Sequence, residues 1–216
     1  GRSVALPPFV SGTAPGQFRS ANPTPIFRHF PAIKPFALAS LDQFRPAAPP
    51  ALNSGAYAAA FNETRVLGGV DSTRRSAEQL ETARFHTEPP PPSVTRNLGR
   101  FASSTANVAD AARLMAMIYV SFADAIAACF EAKYHYNSWR PVDAINRADT
   151  DNNDATQIDA AWKPVLPTPN HPEYPAAHSC TSGSVGEALR SFYGTPNITF
   201  TWDSTVTKTT RTYIGI

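Results

Sequence analysis

The feature that most constrains this chain is a long apolar stretch with helical periodicity between Asn107 and Phe130. Apolar side chains recur there every three or four residues, which is the spacing of one helix face. They are Ala111, Leu114, Met115, Ile118, Phe122, Ile126 and Phe130. The stretch is nearly long enough to span a membrane, but it contains Arg113 and Asp124, which would be costly near a bilayer centre. We therefore expect a buried core helix that starts at Asn107 or Asp110, and no membrane span.

Weaker helical patterns surround this core helix. They are a helix capped by Ser54 over 56–65, one over 73–86, a short one over 93–98, one or two turns over 143–148, and a helix from His178 to Gly194. Two β-branched segments, 199–202 and 206–208, have the content of short strands, but no ladder of strands is expected. The predicted fold class is mainly α.

Proline is unusually common, with 21 Pro against 11 Gly. Clusters such as PAAPP at 46–50 and EPPPPS at 88–93 predict extended segments, and the second should break a helix. We expect residues 1–53 to form a Pro-rich extended segment packed on a helical domain over 54–216, with a single domain overall. Because the chain starts at Gly1 without Met or a leader, we expect a processed protein or a fragment of a longer chain.

Charge and cysteine content limit the partners and the compartment. A net charge of +2 gives no global basic field, so nucleic acid is not an expected partner and any anion site must be local. The sequons at Asn62 and Asn197 permit a secreted or vesicular location for a soluble protein. Cys129 and Cys180 are too few for a disulfide framework; one bridge between them and two buried thiols are both possible, and we expect free thiols. The sequence does not predict the oligomeric state.

Several other patterns favour structural interpretations. The Asp-rich stretch 149–159 resembles a calcium loop, but Asp154 and Ala160 stand where Gly and Glu are required, so a loop of Asx turns is the better interpretation. His29 and His86 are most simply surface or packing residues. Zinc, phosphate-loop and nucleophile-elbow motifs are missing from the sequence. No metal-ligating set is predicted.

Three basic islands remain: one before Pro141, one after Pro175 at a predicted helix start, and one at the end of the sequence. The first joins Lys133 and Arg140, the second centres on His178, and the third contains Arg211. Arg offers a planar fork to two oxygens, Lys offers a point charge, and a helix start offers free N–H groups. A histidine within reach can transfer protons near neutral pH. Together these groups favour a site for a tetrahedral oxyanion.

The islands resemble the three motifs of the vanadium-dependent haloperoxidases and type 2 phosphatidic acid phosphatases. The matching segments are KYHYNSWRP, HPEYPAAHS and TTRTYIGI, against the pattern Lys-x6-Arg-Pro, Pro-Ser-Gly-His and Ser-Arg-x5-His. The linking segments of 34–216 resemble the soluble haloperoxidase branch. The resemblance implies a helical-bundle fold, incomplete in this chain, and vanadate, or phosphate in its place, as the cofactor. Peroxide and halide would be the small partners.

The resemblance also implies a role for each site residue. Lys133, Arg140 and Arg211 would bind oxyanion oxygens, the Ala177 amide would donate to one, and His178 would be the catalytic acid–base group. All would share one pocket. The leading function is vanadate-dependent halide oxidation, with a soluble acid phosphatase as one alternative. A non-catalytic storage, defence or binding protein on the same scaffold is the other.

Three departures from the family pattern affect the expected activity. Ala176 replaces Ser and removes a hydroxyl partner, while Ala177 replaces Gly and adds a methyl near the anion. The final His of the third motif would fall at position 217, one beyond the last residue, Ile216. We therefore expect the 216-residue chain to bind an oxyanion but to turn over poorly.

Overall fold

The long apolar stretch forms one continuous helix, α4 (Val108–Tyr136), in the computed structural model, which describes residues 6–215. Leu114 and Ile118 on this helix are fully buried, as the periodicity predicts. By length and composition alone α4 could cross a membrane, a test that the core helix of a soluble protein also passes. The buried Asp124 on α4 accepts the backbone N–H groups of Phe36, Ala37 and Leu38, so its carboxylate is fully hydrogen-bonded. The fold is of the soluble type.

The described residues form six α-helices, two short 3-10 turns and one two-stranded antiparallel sheet. The other helices are α1 (Gly55–Gly68), α2 (Ala77–Phe85), α3 (Pro90–Ser103), α5 (Pro141–Asn146) and α6 (Ala177–Tyr193). The strands are β1 (Thr199–Ser204) and β2 (Thr209–Ile214). The prediction of a mainly α chain is confirmed.

Local chemistry explains where the elements differ from the sequence predictions. Ser54 caps α1 as predicted, accepting the Tyr57 N–H at 3.1 Å. The proline run at 88–93 does end the preceding helix, as expected: α2 ends at Phe85 and α3 begins at Pro90. The prolines in the first turn of α3 lack only N–H groups that have no acceptor within the helix. The second strand lies over 209–214 instead of 206–208 and pairs with β1, so the expectation of unpaired strands was wrong.

The chain divides into two compact units, which are described separately. The first unit contains residues 6–34, 40–76 and 127–176, and the second contains 35–39, 77–126 and 177–215. The core of the first unit is built around Trp139, Ile145 and Trp162. Trp162 donates its indole N–H to Arg65 O at 3.0 Å, and a Cβ on Gly69 would lie 2.9 Å from that nitrogen. Only glycine therefore allows this close approach.

The core of the second unit joins helices α3, α4 and α6. Its buried members are Val94, Leu98, Phe101, Leu114, Ile118, Val185, Ala188 and Leu189. Polar contacts attach the β-hairpin to α3: Arg96 donates to Asp203 O at 2.9 Å, Arg100 pairs with Asp203, and Asn97 donates to Asp203 O at 3.1 Å. Arg96 also pairs with the buried Glu88, which precedes α3. The Arg96 guanidinium lowers the pKa of Glu88 to about 2. The hairpin that carries Arg211 is thus fixed by charged hydrogen bonds.

Both cysteines are disulfide-bonded, and no free thiol remains among residues 6–215. The expectation of free thiols at Cys129 and Cys180 was wrong. Their positions along the chain gave no information on the separation of their α-carbons, which decides whether two cysteines can bridge.

Candidate oxyanion site

In the first unit Lys133 and Arg140 lie near enough for their charges to interact, on either side of the break between α4 and α5. Lys133 lies in the last turn of α4, and the helix ends because Asn137 adopts a left-handed conformation, with φ of 49°. Its N–H returns to Lys133 O at 2.8 Å, which closes the final turn. Arg140 is the extended N-cap residue of α5, and Pro141 is the first residue of that helix. Pro141 therefore starts a helix instead of stopping α4.

Lys133 is almost completely removed from solvent, with 1% of its surface exposed. Its ammonium donates to Pro172 O at 2.9 Å and to Glu173 O at 2.8 Å, and it lies 5.9 Å from the centre of the Phe130 ring. Burial lowers the pKa of Lys133 to about 8, the Glu173 carboxylate opposes this shift, and the Arg140 charge adds to it. The nearby carboxylate therefore balances the positive charge of the ammonium only in part.

Arg140 is a second, largely buried cation of the first unit. Its side chain is 13% exposed, and Nη1 lies 2.6 Å from Glu173 Oε2. Burial lowers the pKa of Arg140, against the opposing effect of the Glu173 and Asp143 carboxylates. The Nε atom is buried and has no hydrogen-bond partner among residues 6–215. A buried guanidinium N–H without an acceptor is costly, and an additional acceptor at this place would satisfy it.

These donors fit an oxyanion such as vanadate or phosphate. Among contacts of the described residues, Lys133 uses two of its three hydrogens on carbonyls, and Arg140 Nε uses none. A tetrahedral anion presents several oxygens and can accept from a guanidinium fork and an ammonium together. No group of three His, Cys, Asp or Glu side chains placed to hold a metal ion occurs within 6–215. The donor set of this pair is thus suited to an anion.

Several aromatic side chains of the first unit lie in or next to the first two motifs. Trp139 is buried in the core of the first unit, and the Tyr136 hydroxyl donates to Pro46 O. The Tyr136 ring contacts that of Tyr174, with centroids 5.7 Å apart. His171 is buried against Phe130, with ring centroids 5.2 Å apart. The Phe130 ring, which lies 5.9 Å from the Lys133 ammonium, is thus itself packed against His171.

The second unit contains His178, which lies in the first turn of α6 and is exposed. It lines a cavity of about 260 Å³ together with His86 and mainly apolar side chains. Burial is the main cause that lowers the pKa of His86, and the charge of Arg211 and the nearby His178 lower it further. His86 therefore favours its neutral form beside His178. Ala177, the first residue of α6, occupies the helix position whose N–H has no acceptor within the helix.

Arg211 lies on strand β2, opposite Trp202 of β1. Its guanidinium donates to the Glu81 carboxylate and to Thr82 Oγ1, the latter at 2.9 Å. It also stacks over the Phe85 ring, 4.8 Å from the centroid. In the second unit Arg211 is thus held by α2, with a carboxylate already as its partner.

The structure adds three residues that the sequence patterns did not indicate. Glu173 lies inside the quoted HPEYPAAHS segment, where its charge beside a predicted anion site was a usable signal. His86 and Glu81 had no distinguishing signal, because their importance depends on the packing of α2 against the hairpin. The single pocket shared by Lys133, Arg140, His178 and Arg211, and the role of the Ala177 amide, stay predictions.

Comparison with known proteins identifies the relatives of the chain. Residues 113–214 match a family model described as the VCPO second helical-bundle domain. The crystal structure of a protein described as the first bacterial vanadium-dependent iodoperoxidase matches with a TM-score of 0.75 and 28% sequence identity. The match covers 97% of this chain and 53% of the solved chain, so the chain spans about half of that protein. No curated protein matches significantly.

The sequence match and the structural match agree with the three motifs. The family model covers α4 beyond residue 113, α5, α6 and most of the hairpin, and so contains all of the motif residues. The structural match extends the similarity over nearly the whole chain. The family-model match over 113–214 and the structural match together support a vanadium haloperoxidase-like superfamily for this chain.

Proposed function

We propose that the chain is a vanadate-dependent haloperoxidase-like protein that binds the oxyanion through Lys133 and Arg140. The observation that carries the proposal is a pair of buried cations with an unsatisfied guanidinium N–H, at Nε of Arg140. When bound, vanadate supplies the centre at which peroxide is activated to oxidise a halide. The resemblance assigns proton transfer to His178 and further anion contacts to Ala177 and Arg211. The relative described as an iodoperoxidase makes iodide the first halide to test.

The chain's own residues account for tight anion binding. Lys133 and Arg140 are desolvated before any ligand arrives, so they interact strongly with an anion in a site of low dielectric. Their backbone is fixed by the Asn137 turn and by the bond from Trp139 N to Gly16 O at 2.8 Å. Such fixed donors need little reorganisation when the anion binds.

The test is equilibrium dialysis of the 216-residue protein against orthovanadate, with phosphate as the competitor. We expect saturable vanadate binding that phosphate displaces and that K133M weakens at least about tenfold, because one charged hydrogen bond is lost. E131Q on the same helix is the matched control, since Glu131 pairs with Arg45. Vanadate that binds neither saturably nor in competition with phosphate would refute the proposal.

Two activity assays on the same protein separate the alternatives. Vanadate-dependent oxidation of iodide by peroxide would support a haloperoxidase. Hydrolysis of a phosphomonoester, inhibited by vanadate, would support the acid phosphatase. Anion binding without either activity would support the non-catalytic scaffold, which Ala176 and Ala177 favour.

A secreted or vesicular location remains a proposal supported by the two sequons alone. Asn197 is exposed, whereas the Asn62 amide donates to Ala58 O and Ala155 O, each at 2.9 Å. A glycan on Asn62 would break these bonds, so Asn197 is the better acceptor.

A further inference from the structure

The Glu173 carboxylate lies at the two cations of the first unit. Its Oε2 is 2.6 Å from Arg140 Nη1, and it raises the pKa of both Lys133 and Arg140 against the effect of burial. Asp143 also acts on Arg140, but that carboxylate is shared with Arg19 and Arg147. Glu173 is thus the acidic side chain that acts on both members of the pair.

The contact between Glu173 and Arg140 leaves donors and acceptors unused. Arg140 Nε and Glu173 Oε2 have no hydrogen-bond partner within residues 6–215, although both atoms are buried. The 2.6 Å contact therefore pairs the charges without the aligned, two-bond geometry that makes Arg–carboxylate pairs strong. An anion with oxygens on the Nε–Nη2 edge, the side-on fork of a guanidinium, would satisfy the Nε that this contact leaves unused.

Glu173 can leave this position without unfolding the segment that carries it. Its N–H donates to Ser138 O at 3.0 Å and its carbonyl accepts from Lys133, so the backbone is fixed. The side chain is 42% exposed. A change of side-chain rotamer alone can therefore move the carboxylate into solvent, where its charge is hydrated at little cost.

We propose that Glu173 is an internal competitor for the oxyanion site, whose carboxylate holds the place of the ligand on Arg140 and Lys133. This inference rests on the proposed function and adds a residue that sets how tightly an anion binds at the site. A singly charged or weakly bound anion does not displace the carboxylate, whereas a tetrahedral oxyanion with several charged oxygens does. Glu173 thereby selects for highly charged tetrahedral anions.

The test compares E173Q with the wild-type protein by calorimetric titration with inorganic phosphate at about pH 6.5. The acidic condition keeps Lys133 charged after the carboxylate that raises its pKa is removed. We expect E173Q to bind phosphate about tenfold more tightly, the worth of one charged contact. E131Q should leave the affinity unchanged. E173D, which shortens the side chain by one methylene and keeps its charge, should bind more tightly than wild type by a smaller factor.

Each outcome decides the proposal. Equal or weaker phosphate binding by both E173Q and E173D, with saturable binding by the wild type, would overturn the role of Glu173 and leave the proposed function standing. If E173Q does not fold, E173D carries the comparison. Phosphate binding to none of the folded proteins would refute the proposed function and this inference with it.

Discussion

Lys133 shows how a single residue converts an ordinary helix end into a candidate binding site. A lysine in the last turn of a helix normally extends into solvent and interacts with the helix dipole. Lys133 instead donates to the carbonyls of 172 and 173 and is 1% exposed. Its burial beside Arg140 places two like charges near each other, an unfavourable interaction that a bound anion would relieve.

The lowered pKa of Lys133 predicts how anion affinity depends on pH. Its ammonium is charged below about pH 8 and loses its proton above that value, whereas Arg140 stays charged. Sulfate, whose charge does not change in this range, should therefore bind about tenfold less tightly at about pH 9.5 than at about pH 6.5. Calorimetric titration with sulfate measures this change. In K133M the affinity should not vary across the same range, and a flat profile in the wild type would contradict the assignment.

At the scale of elements, only some of the helix ends can be predicted from the local sequence. The start of α1 at Ser54 was predictable, because serine is a strong N-cap and its pattern is local. The end of α4 at Asn137 was not, since the nearby Pro141 offered a stronger apparent stop.

The motif spacing predicted an anion site at Lys133 and Arg140. It could not show Glu173 on Arg140, because that contact depends on two segments more than thirty residues apart along the chain.

Exchanging serine and alanine at the starts of α1 and α6 should change the free energy of unfolding in opposite directions. S54A removes the oxygen that accepts the Tyr57 N–H and should lower the free energy of unfolding by about 1 kcal/mol. A176S places a hydroxyl immediately before the first residue of α6 and should raise it by a similar amount. Urea unfolding followed by circular dichroism measures both. A loss of stability in A176S would show that Ala176 does not act as the N-cap.

The fully buried Leu114 predicts a large cost of truncation in the second unit. L114A removes a side chain with 0% exposure from the cluster that joins α3, α4 and α6. It should lower the free energy of unfolding by about 2–5 kcal/mol, through lost burial and a residual cavity. The matched control is V108A on the same helix, where the side chain is 85% exposed and the cost should be small. Similar effects of the two substitutions in urea would contradict the buried face of α4.

At the scale of the molecule, the family assignment was accessible from sequence because its motifs are short and lie in a fixed order. The fold match at a TM-score of 0.75 and the match of 113–214 to the second VCPO bundle support the same assignment. The disulfide state was not accessible, since Cys129 and Cys180 are separated by a turn and a proline-rich loop whose course only the structure defines. Motif spacing therefore predicts which residues form an anion site, and the three-dimensional contacts show which partners those residues already have.

The central claim is that Lys133 and Arg140 act on one bound oxyanion, and a double-mutant cycle tests it most directly. Phosphate affinity would be measured calorimetrically for the wild type, K133M, R140Q and the double variant, each first shown to be folded. We expect each single substitution to weaken binding about tenfold or more, and the double variant to lose less than the sum of both, with a coupling of about 0.5–3 kcal/mol. Unchanged affinity in both single variants, or additive losses without coupling, would contradict the account.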